Sequence, residues 1–416
     1  MRPSLVAALV LTACGPRSML PPPIDAADAG ISVPVDGGVT CTVELETQMT
    51  AALNAVATTE SFVVELRRNS DDRVFRMSRP VPGKTTITER SMLQSASTAK
   101  LISATVILDV IANPASYPGA GRVNGVALTL DSPVRDFLPA WNPPATSRLS
   151  SATLRHLLSF TSGLEREHAC ISSLTAPDTC VTNLVDANLA VNRDANEART
   201  FFYSGSHLFV AAQLAVRASG LNDWGALFKR YKELHGVFQT PLETPGPASF
   251  GPGAFFPSSG PGNSPSPAGA LRYTAGDYPP FLQKLMRAQV LPKPMVDELL
   301  SDQVTRLGAT IEYSPVSDTG EDWRYGLGNW SECQAPAWST ACAASRRFSS
   351  PGSFGTYPFI DFNPSPSGEF PYVGLLGYGG TLQGQSPTSI AIYRSLQVVL
   401  VDGKDLAQRW AASTCL

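Results

Sequence analysis

The sequence of 416 residues lacks strong charge and the short signatures of common cofactor sites. Only 16% of its residues are charged, its net charge is -3, and no run of Lys or Arg exceeds two residues, which argues against a nucleic-acid partner. The C-x-x-C, H-E-x-x-H, P-loop, G-x-G-x-x-G and G-x-S-x-G motifs are all missing. The histidines are too scattered for a metal-ligand set; they are His156, His168, His207 and His235. We therefore expect no metal ion and no cofactor.

An export signal occupies residues 1–14. One positive charge, at Arg2, precedes a short apolar run that ends in small residues before Cys14. About ten apolar residues are too few to cross a bilayer, which takes about 20. The residues around Cys14 resemble a bacterial lipoprotein cleavage box, which implies that Cys14 becomes a lipidated N-terminus. The sequence thus predicts an exported protein, lipid-anchored at a membrane of the bacterial cell envelope, with an ordinary cleaved secretory signal as the alternative.

The cysteine count supports export. Seven cysteines are an odd number, but lipidation of one leaves six that can pair in an oxidising compartment. Two pairs lie close in sequence, and the remaining two cysteines lie at the ends of the folded region. Six cysteines allow many connectivities, of which we expect Cys170–Cys180, Cys333–Cys342 and Cys41–Cys415.

Hydrophobic patterning divides the rest of the chain into a tether and a folded region. Residues 15–40 lack an apolar period and form a flexible tether. Strand patterns lie at both ends of the folded region and helical patterns lie between them. This order predicts a discontinuous α/β domain at residues 41–130 and 301–416, interrupted by a helical domain at residues 131–300 with a Pro-, Gly- and Ser-rich loop at 244–267. An active site would lie in the cleft between the two domains.

Ser97 and Lys100 form a Ser-x-x-Lys motif at the start of a nearly all-apolar helical pattern, residues 101–112. A spacing of three places both side chains on one face of the first turn, so the amine can hydrogen-bond the hydroxyl. Burial disfavours the charged form of an amine, and a neutral amine can accept the serine proton. The helix N-terminus adds a partial positive charge, and the Ser97 N–H can donate to a developing oxyanion. This spacing also arises by chance, so neighbouring motifs decide its meaning.

Five further segments carry ordered signatures. Residues 157–164 resemble a Leu-Leu-x-His-Thr-Ser-Gly-Leu signature, and residues 202–205 resemble a Tyr-x-Asn loop. Residues 267–277 resemble an Ala-Gly-Gly-Leu-x-Ser-Thr-Ala-x-Asp helix start, residues 325–328 match a Tyr-Gly-Leu-Gly strand, and residues 377–380 fall where Lys-Thr-Gly or His-x-Gly is expected. In this order they resemble the serine β-lactamase and penicillin-binding-protein superfamily, especially class C β-lactamases and related esterases. The resemblance implies an antiparallel sheet flanked by helices, with an inserted all-helical domain.

The resemblance also implies an active site. Ser97 is then the nucleophile, Lys100 its activating partner, and Tyr203 a second catalytic partner that acts as general base and acid. The chemistry would be hydrolysis of a small ester or related acyl substrate through an acyl-enzyme. The alternatives are a β-lactamase, a D-alanyl-D-alanine carboxypeptidase acting on peptidoglycan-like substrates, or a binding lipoprotein that has lost activity. We expect a monomer.

A second wall of the site is implied near the C-terminus. Tyr378, Gly379 and Gly380 would form an edge strand that lines the cleft, where glycines let the substrate backbone approach closely. The N–H of Thr381 would then be the second oxyanion donor.

Three residues depart from the family pattern. Gly205 stands where the family carries an Asn whose amide holds the lysine and the acyl amide of the substrate, and Tyr378 stands where a Lys or His helps to bind the substrate carboxylate. Ser206 or His207 could replace the Asn, although we favour a core or surface position for His207. Phe160, in place of a His, is interpreted as structural.

Overall fold

The computed structural model describes residues 41–172, 175–191, 193–240, 254–255, 266–366, 368–379, 390, 394 and 405–413. The predicted signal with Cys14, the tether and most of the loop at 244–267 lie outside these ranges. Within them, no helix combines the length and the apolar character needed to cross a membrane.

Helices form most of the segment between the two sets of strands. Several begin at side-chain caps, as at Asp223, whose carboxylate accepts the Ala226 N–H, and at Thr153, which forms a capping box with His156. The helices are α1 Thr42–Ala55, α2 Ala99–Ala112, α3 Val134–Phe137, α4 Leu154–Leu158, α5 Pro177–Leu189, α6 Ser206–Ser219, α7 Trp224–His235, α8 Tyr278–Met286, α9 Lys293–Leu300, α10 Gln303–Arg306, α11 Thr340–Ser345 and α12 Leu406–Ala412.

Strands lie mainly near the two ends of the described chain. They are β1 Phe62–Arg68, β2 Val74–Arg79, β3 Met92–Gln94, β4 Arg122–Val123, β5 Val126–Ala127, β6 Thr200–Phe202, β7 Ala254–Phe255, β8 Leu271–Thr274, β9 Thr310–Tyr313, β10 Arg324–Tyr325, β11 Trp330–Ser331, β12 Arg347–Ser349, β13 Thr356–Asp361, β14 Pro364–Ser365, β15 Gly368–Glu369 and β16 Tyr372–Tyr378.

Among the described residues, the largest sheet has seven strands in the order β10-β11-β12-β13-β16-β1-β2, and each strand is antiparallel to its neighbours. In β1, Val64 pairs with Leu376 of β16 on one side and with Met77 of β2 on the other. β-branched and aromatic residues, which suit a pleated surface, open β1 and stand at both ends of β16. Helix α8 packs on β1, β13 and β16, and α1 packs on β2 and α12. The predicted fold, an antiparallel sheet flanked by helices, is confirmed.

Helix α2 is the central helix of the fold. Its sequence is apolar nearly all round, which is the pattern of a helix with neighbours on every side. Every residue from Ala99 to Val110 is buried, and α2 contacts α6, α7 and α9. The chain directly before this helix carries Ser97. The domain boundaries given above stay a prediction.

Two of the expected disulfides are confirmed. They join Cys170 to Cys180, with Cα atoms 5.4 Å apart, and Cys333 to Cys342, with Cα atoms 4.9 Å apart. Each closes a short surface segment, as the close spacing in sequence indicates.

The ends of the folded region meet. Thr42 Oγ1 lies 2.7 Å from Ser413 Oγ, and Cys41 is disulfide-bonded. Its expected partner, Cys415, lies outside the described residues. The pairing of Cys41 with Cys415 therefore stays a prediction.

Candidate active site

Ser97 lies on a tight 3₁₀ turn, Ala96–Thr98, that leads directly into α2. Ala96 has a φ of 41°, in the left-handed region that residues with a Cβ avoid. The N–H and Oγ1 of Thr98 both donate to Ser95 O, over 3.0 and 2.7 Å. Backbone strain of this kind persists only where the surroundings fix it, and it is common at functional sites. The turn therefore holds Ser97 in one orientation.

Lys100 lies one turn further along and is 5% exposed. Its Nζ donates to Ser97 Oγ over 2.8 Å and to Ala268 O over 3.2 Å. These two acceptors fix the end of a long, otherwise mobile side chain on the serine. The contact that the Ser-x-x-Lys spacing predicts is present, and Lys100 is placed to take and return the Ser97 proton.

Tyr203 contacts Lys100 through its aromatic ring, with the Lys100 Nζ 4.8 Å from the ring centroid. The ring stacks on Trp330, with centroids 5.2 Å apart and an interplanar angle of 22°, and it meets Phe160 and Tyr325 edge-on. Aromatic pairs of these geometries add about 0.5–1.5 kcal/mol beyond their buried area, so packing fixes the ring. The structure therefore brings Ser97, Lys100 and Tyr203 together, with the ring face of the tyrosine against the amine.

The turn between β12 and β13 packs directly on the nucleophile turn. Ser350 Oγ donates to Ser97 O over 3.1 Å. A Cβ at Gly352 would lie 2.4 Å from Ser95 O and 2.8 Å from Thr98 Cγ2. Only a glycine allows this approach, so the turn is a wall of the serine site.

The predicted cleft position of Tyr378 and Gly379 is wrong. Tyr378 ends β16, which lies between β13 and β1, and it pairs with Phe62. An inner strand has hydrogen-bonded neighbours on both sides, so it cannot be the edge of the cleft, and Tyr378 is buried. Gly380 and Thr381 lie outside the described residues. The donor role of Thr381 was inferred from the same alignment and loses its basis with it.

Sequence reasoning missed the segment that takes this place, residues 350–355. It reads Ser-Pro-Gly-Ser-Phe-Gly, and it follows the Tyr-Gly-Leu-Gly strand at 325–328 more closely than the segment at 377–380 does. Two glycines three residues apart at a strand end were the available signal. The sequence therefore placed the cleft wall after β16, whereas the wall follows β12, two strands earlier in the sheet.

The backbone N–H groups beside this wall that have no hydrogen-bond partner among the described residues include those of Ser97 and Ser353. The first lies in the opening turn before α2, where N–H groups lack helical partners. The second directly follows Gly352, the residue in contact with the nucleophile turn. A pair of free donors near a nucleophile is what stabilisation of an oxyanion requires.

Gly205 is the N-cap residue of α6 and has an ordinary φ of -76°, so its backbone does not require glycine. A Cβ there would lie 2.7 Å from Glu167 Oε1, 3.1 Å from Ile171 Cδ1 and 3.2 Å from Ala268 Cβ. The Gly205 N–H donates to Glu167 Oε1. The space that an Asn side chain would need is thus filled by the carboxylate of Glu167, which sequence reasoning did not single out.

His207 does not replace the missing Asn. It is fully buried, with Nδ1 2.9 Å from Ser162 Oγ and Nε2 2.9 Å from Phe202 O, and burial lowers its pKa to about 3. Phe160 stacks on its ring with centroids 4.9 Å apart. Ser206 Oγ donates to Arg166 O, so it does not replace the Asn either.

In the described part of the chain, no group of three His, Cys, Asp or Glu side chains could hold a metal ion.

Comparison with known proteins agrees with this architecture. The profile of the family described as Beta-lactamase matches residues 68–364. No curated protein matches in sequence.

Solved structures give the same fold at low sequence identity. A penicillin binding protein from Bacillus halodurans is 17% identical, with a TM-score of 0.52 over 84% of this chain and 99% of its own. Simvastatin synthase from Aspergillus terreus, as a mutant, is 15% identical, with a TM-score of 0.57 over 91% of this chain and 100% of its own. D-amino acid amidase from Ochrobactrum anthropi SV3 is 13% identical, with a TM-score of 0.56 over 83% and 97%. With the family profile covering well over half of its length, the chain belongs to the Beta-lactamase family of serine hydrolases.

Proposed function

We propose that the protein hydrolyses small esters and related acyl substrates through an acyl-enzyme at Ser97. The observation that carries the proposal is the hydrogen bond of 2.8 Å from Lys100 Nζ to Ser97 Oγ, at the start of the central helix of a Beta-lactamase fold. A site that had turned to binding alone would have no reason to keep this pair.

The geometry supports a two-step reaction. Lys100 takes the Ser97 proton as Oγ attacks the substrate carbonyl, and the N–H groups of Ser97 and Ser353 hold the oxyanion. The C–O bond to the leaving alcohol then breaks, and the alcohol receives the proton from Lys100. The face of the Tyr203 ring, in contact with the amine, stabilises the ammonium that forms at Lys100 during each transfer. Water, deprotonated by Lys100, then attacks the acyl-serine and releases the acid, and the proton returns to Ser97 Oγ.

Esters fit this site better than penicillins and cephalosporins do. The wall formed by residues 350–355 contains no Lys, Arg or His, so this segment offers no cation to a β-lactam carboxylate, and the Ser350 hydroxyl already donates to Ser97 O. The Glu167 carboxylate also repels a substrate anion. The lack of a charge-assisted hydrogen bond, worth about 1.5–3 kcal/mol, slows β-lactam turnover by roughly 10 to 10².

Labelling with a fluorophosphonate probe, read by intact mass, tests the nucleophile. We expect one adduct on the wild-type protein, none on Ser97→Ala, and wild-type labelling of the control Ser70→Ala, an exposed serine on the turn between β1 and β2. Esterase activity of Ser97→Ala should fall by about 10³ or more. A wild-type protein that is neither labelled nor active would favour the binding-protein alternative.

We also propose that the protein is exported and lipid-anchored through Cys14. The confirmed disulfides support export, because such bonds persist mainly in oxidising compartments. Metabolic labelling with an alkyne fatty acid should tag the wild-type protein and leave Cys14→Ala untagged. Equal tagging of both would refute the anchor.

A further inference from the structure

Glu167 places a carboxylate at Gly205, two residues after Tyr203 of the active site. Its Oε1 accepts the Gly205 N–H and lies 2.7 Å from the point where a Cβ at Gly205 would stand, and Ala268 Cβ lies 3.2 Å from that same point. The carbonyl oxygen of the same Ala268 accepts Lys100 Nζ, which bonds Ser97 Oγ. Glu167 and Ala268 thus flank the same point at Gly205, and Ala268 in turn contacts the amine that bonds the nucleophile.

This carboxylate is accessible and its charge is not neutralised. Glu167 is exposed, and it has no ion pair with any Lys, Arg or His of the described residues. The Gly205 N–H occupies Oε1 and leaves Oε2 open. A lone, exposed carboxylate that already has one neutral donor attracts a cationic hydrogen-bond donor.

The segment that carries Glu167 is held from both sides. The Arg166 N–H donates to Asn188 Oδ1 over 2.8 Å, and Ser206 Oγ donates to Arg166 O over 3.2 Å. Three residues after Glu167, Cys170 joins Cys180 of α5. A fixed carboxylate loses little entropy on binding, which makes it a selective contact.

We propose that Glu167 selects substrates that carry a free amino group on the acyl part, namely esters and amides of amino acids. In such an acyl-enzyme the α-nitrogen is three bonds from Ser97 Oγ, about 3–4 Å away, on the acyl side of the site, and Glu167 occupies the space of the Asn that the family carries at position 205. A cation on the leaving group would be lost after the first step. The inference rests on the proposed acyl-enzyme and adds its substrate class.

The test compares alanine methyl ester with N-acetylalanine methyl ester, both enantiomers, by pH-stat. The wild-type protein should prefer the free amine in kcat/KM by about tenfold or more. Glu167→Gln keeps the acceptor for the Gly205 N–H and removes the charge, so the preference should fall about tenfold. The matched control Glu44→Gln, on the exposed face of α1, should keep it. Salt should weaken the wild-type preference, because an exposed charge is screened.

The outcomes separate this inference from the proposed function. A wild-type protein whose Ser97 is labelled by the fluorophosphonate but which treats the two esters alike overturns the role of Glu167 alone. The same holds if Glu167→Gln is labelled at the wild-type rate and keeps the full preference. It also holds if choline esters, which carry the cation on the leaving group, show an equal increase in kcat/KM. A protein without labelling at Ser97 overturns the proposed function, and this inference with it.

Discussion

Replacement of Gly352 with alanine tests whether the turn between β12 and β13 is a wall of the catalytic site. The added Cβ would lie 2.4 Å from Ser95 O, 2.7 Å from Thr356 Oγ1 and 2.8 Å from Thr98 Cγ2. Ordinary contact begins at 3.4 Å, so either this turn or the nucleophile turn must move by about 1 Å. The nearest atom is a backbone oxygen that already accepts two hydrogen bonds from Thr98, so it cannot yield like the end of a flexible side chain.

The displacement should cost activity more than stability. Extra atoms in a packed site destabilise by about 1–3 kcal/mol, whereas a misplacement of about 1 Å at a catalytic centre can cost about 10²-fold in rate. Urea unfolding and kcat/KM for 4-nitrophenyl butyrate measure the two effects on one sample.

Gly379→Ala is the matched control, because Gly379 directly follows the strand that the sequence wrongly placed in the cleft. Its Cβ would meet Ser61 O at 3.0 Å and Ile87 Cγ1 at 3.2 Å, so the neighbours need to give by only a few tenths of an ångström. We expect a rate within about threefold of the wild type and a destabilisation of about 1 kcal/mol or less. A larger loss of activity in Gly379→Ala than in Gly352→Ala would refute the assignment of the wall.

Three further predictions follow from the same contacts. Nitrocefin should have a lower kcat/KM than 4-nitrophenyl butyrate, and the reverse order in steady-state assays would show that another residue binds the β-lactam carboxylate. Burial lowers the pKa of His207 from 6.5 to about 3, so the unfolded chain binds more protons in that window, and stability falls by about 1.4 kcal/mol per pH unit as the pH drops below 6.5. Asp405, whose pKa burial raises from 3.8 to about 6, acts in the opposite direction between those values. His207→Gln should make the acid side of a plot of Tm against pH less steep, while His156, whose pKa burial also lowers to about 3, keeps its own contribution. Arg347→Met leaves the buried Asp361 without the guanidinium whose Nε donates to it over 3.0 Å, and urea unfolding should show a loss of about 3–5 kcal/mol.

Local patterns predicted much of this structure. The Ser97–Lys100 contact depends on helical spacing alone, and the Cys170–Cys180 bond spans only ten residues, so neither needs knowledge of distant packing. The apolar run after Ser97 likewise marks the central helix, because burial on all sides leaves no polar face.

The features that the sequence predicted wrongly or missed all depend on contacts between distant parts of the chain. A glycine-rich strand end at Gly379 looks like one at Gly352, and only the pairing of β16 between β13 and β1 shows which one meets the nucleophile turn. Glu167 fills the space at Gly205 from 38 residues away, a distance over which no periodicity operates. Strand order and the filling of one residue's space by another are set by tertiary packing, and a single sequence records neither directly.

The walls of the serine site come from distant parts of the chain, and this has a consequence for the order of folding. Lys100 and Ala268 are separated by 168 residues, and Ser350 and Ser97 by 253. Contacts that close such long loops form slowly, because the chain loses conformational entropy before the contact contributes any interaction energy. Recovery of esterase activity during refolding should therefore lag behind the recovery of helical circular dichroism, and a newly made chain stays catalytically silent until its last loops have closed.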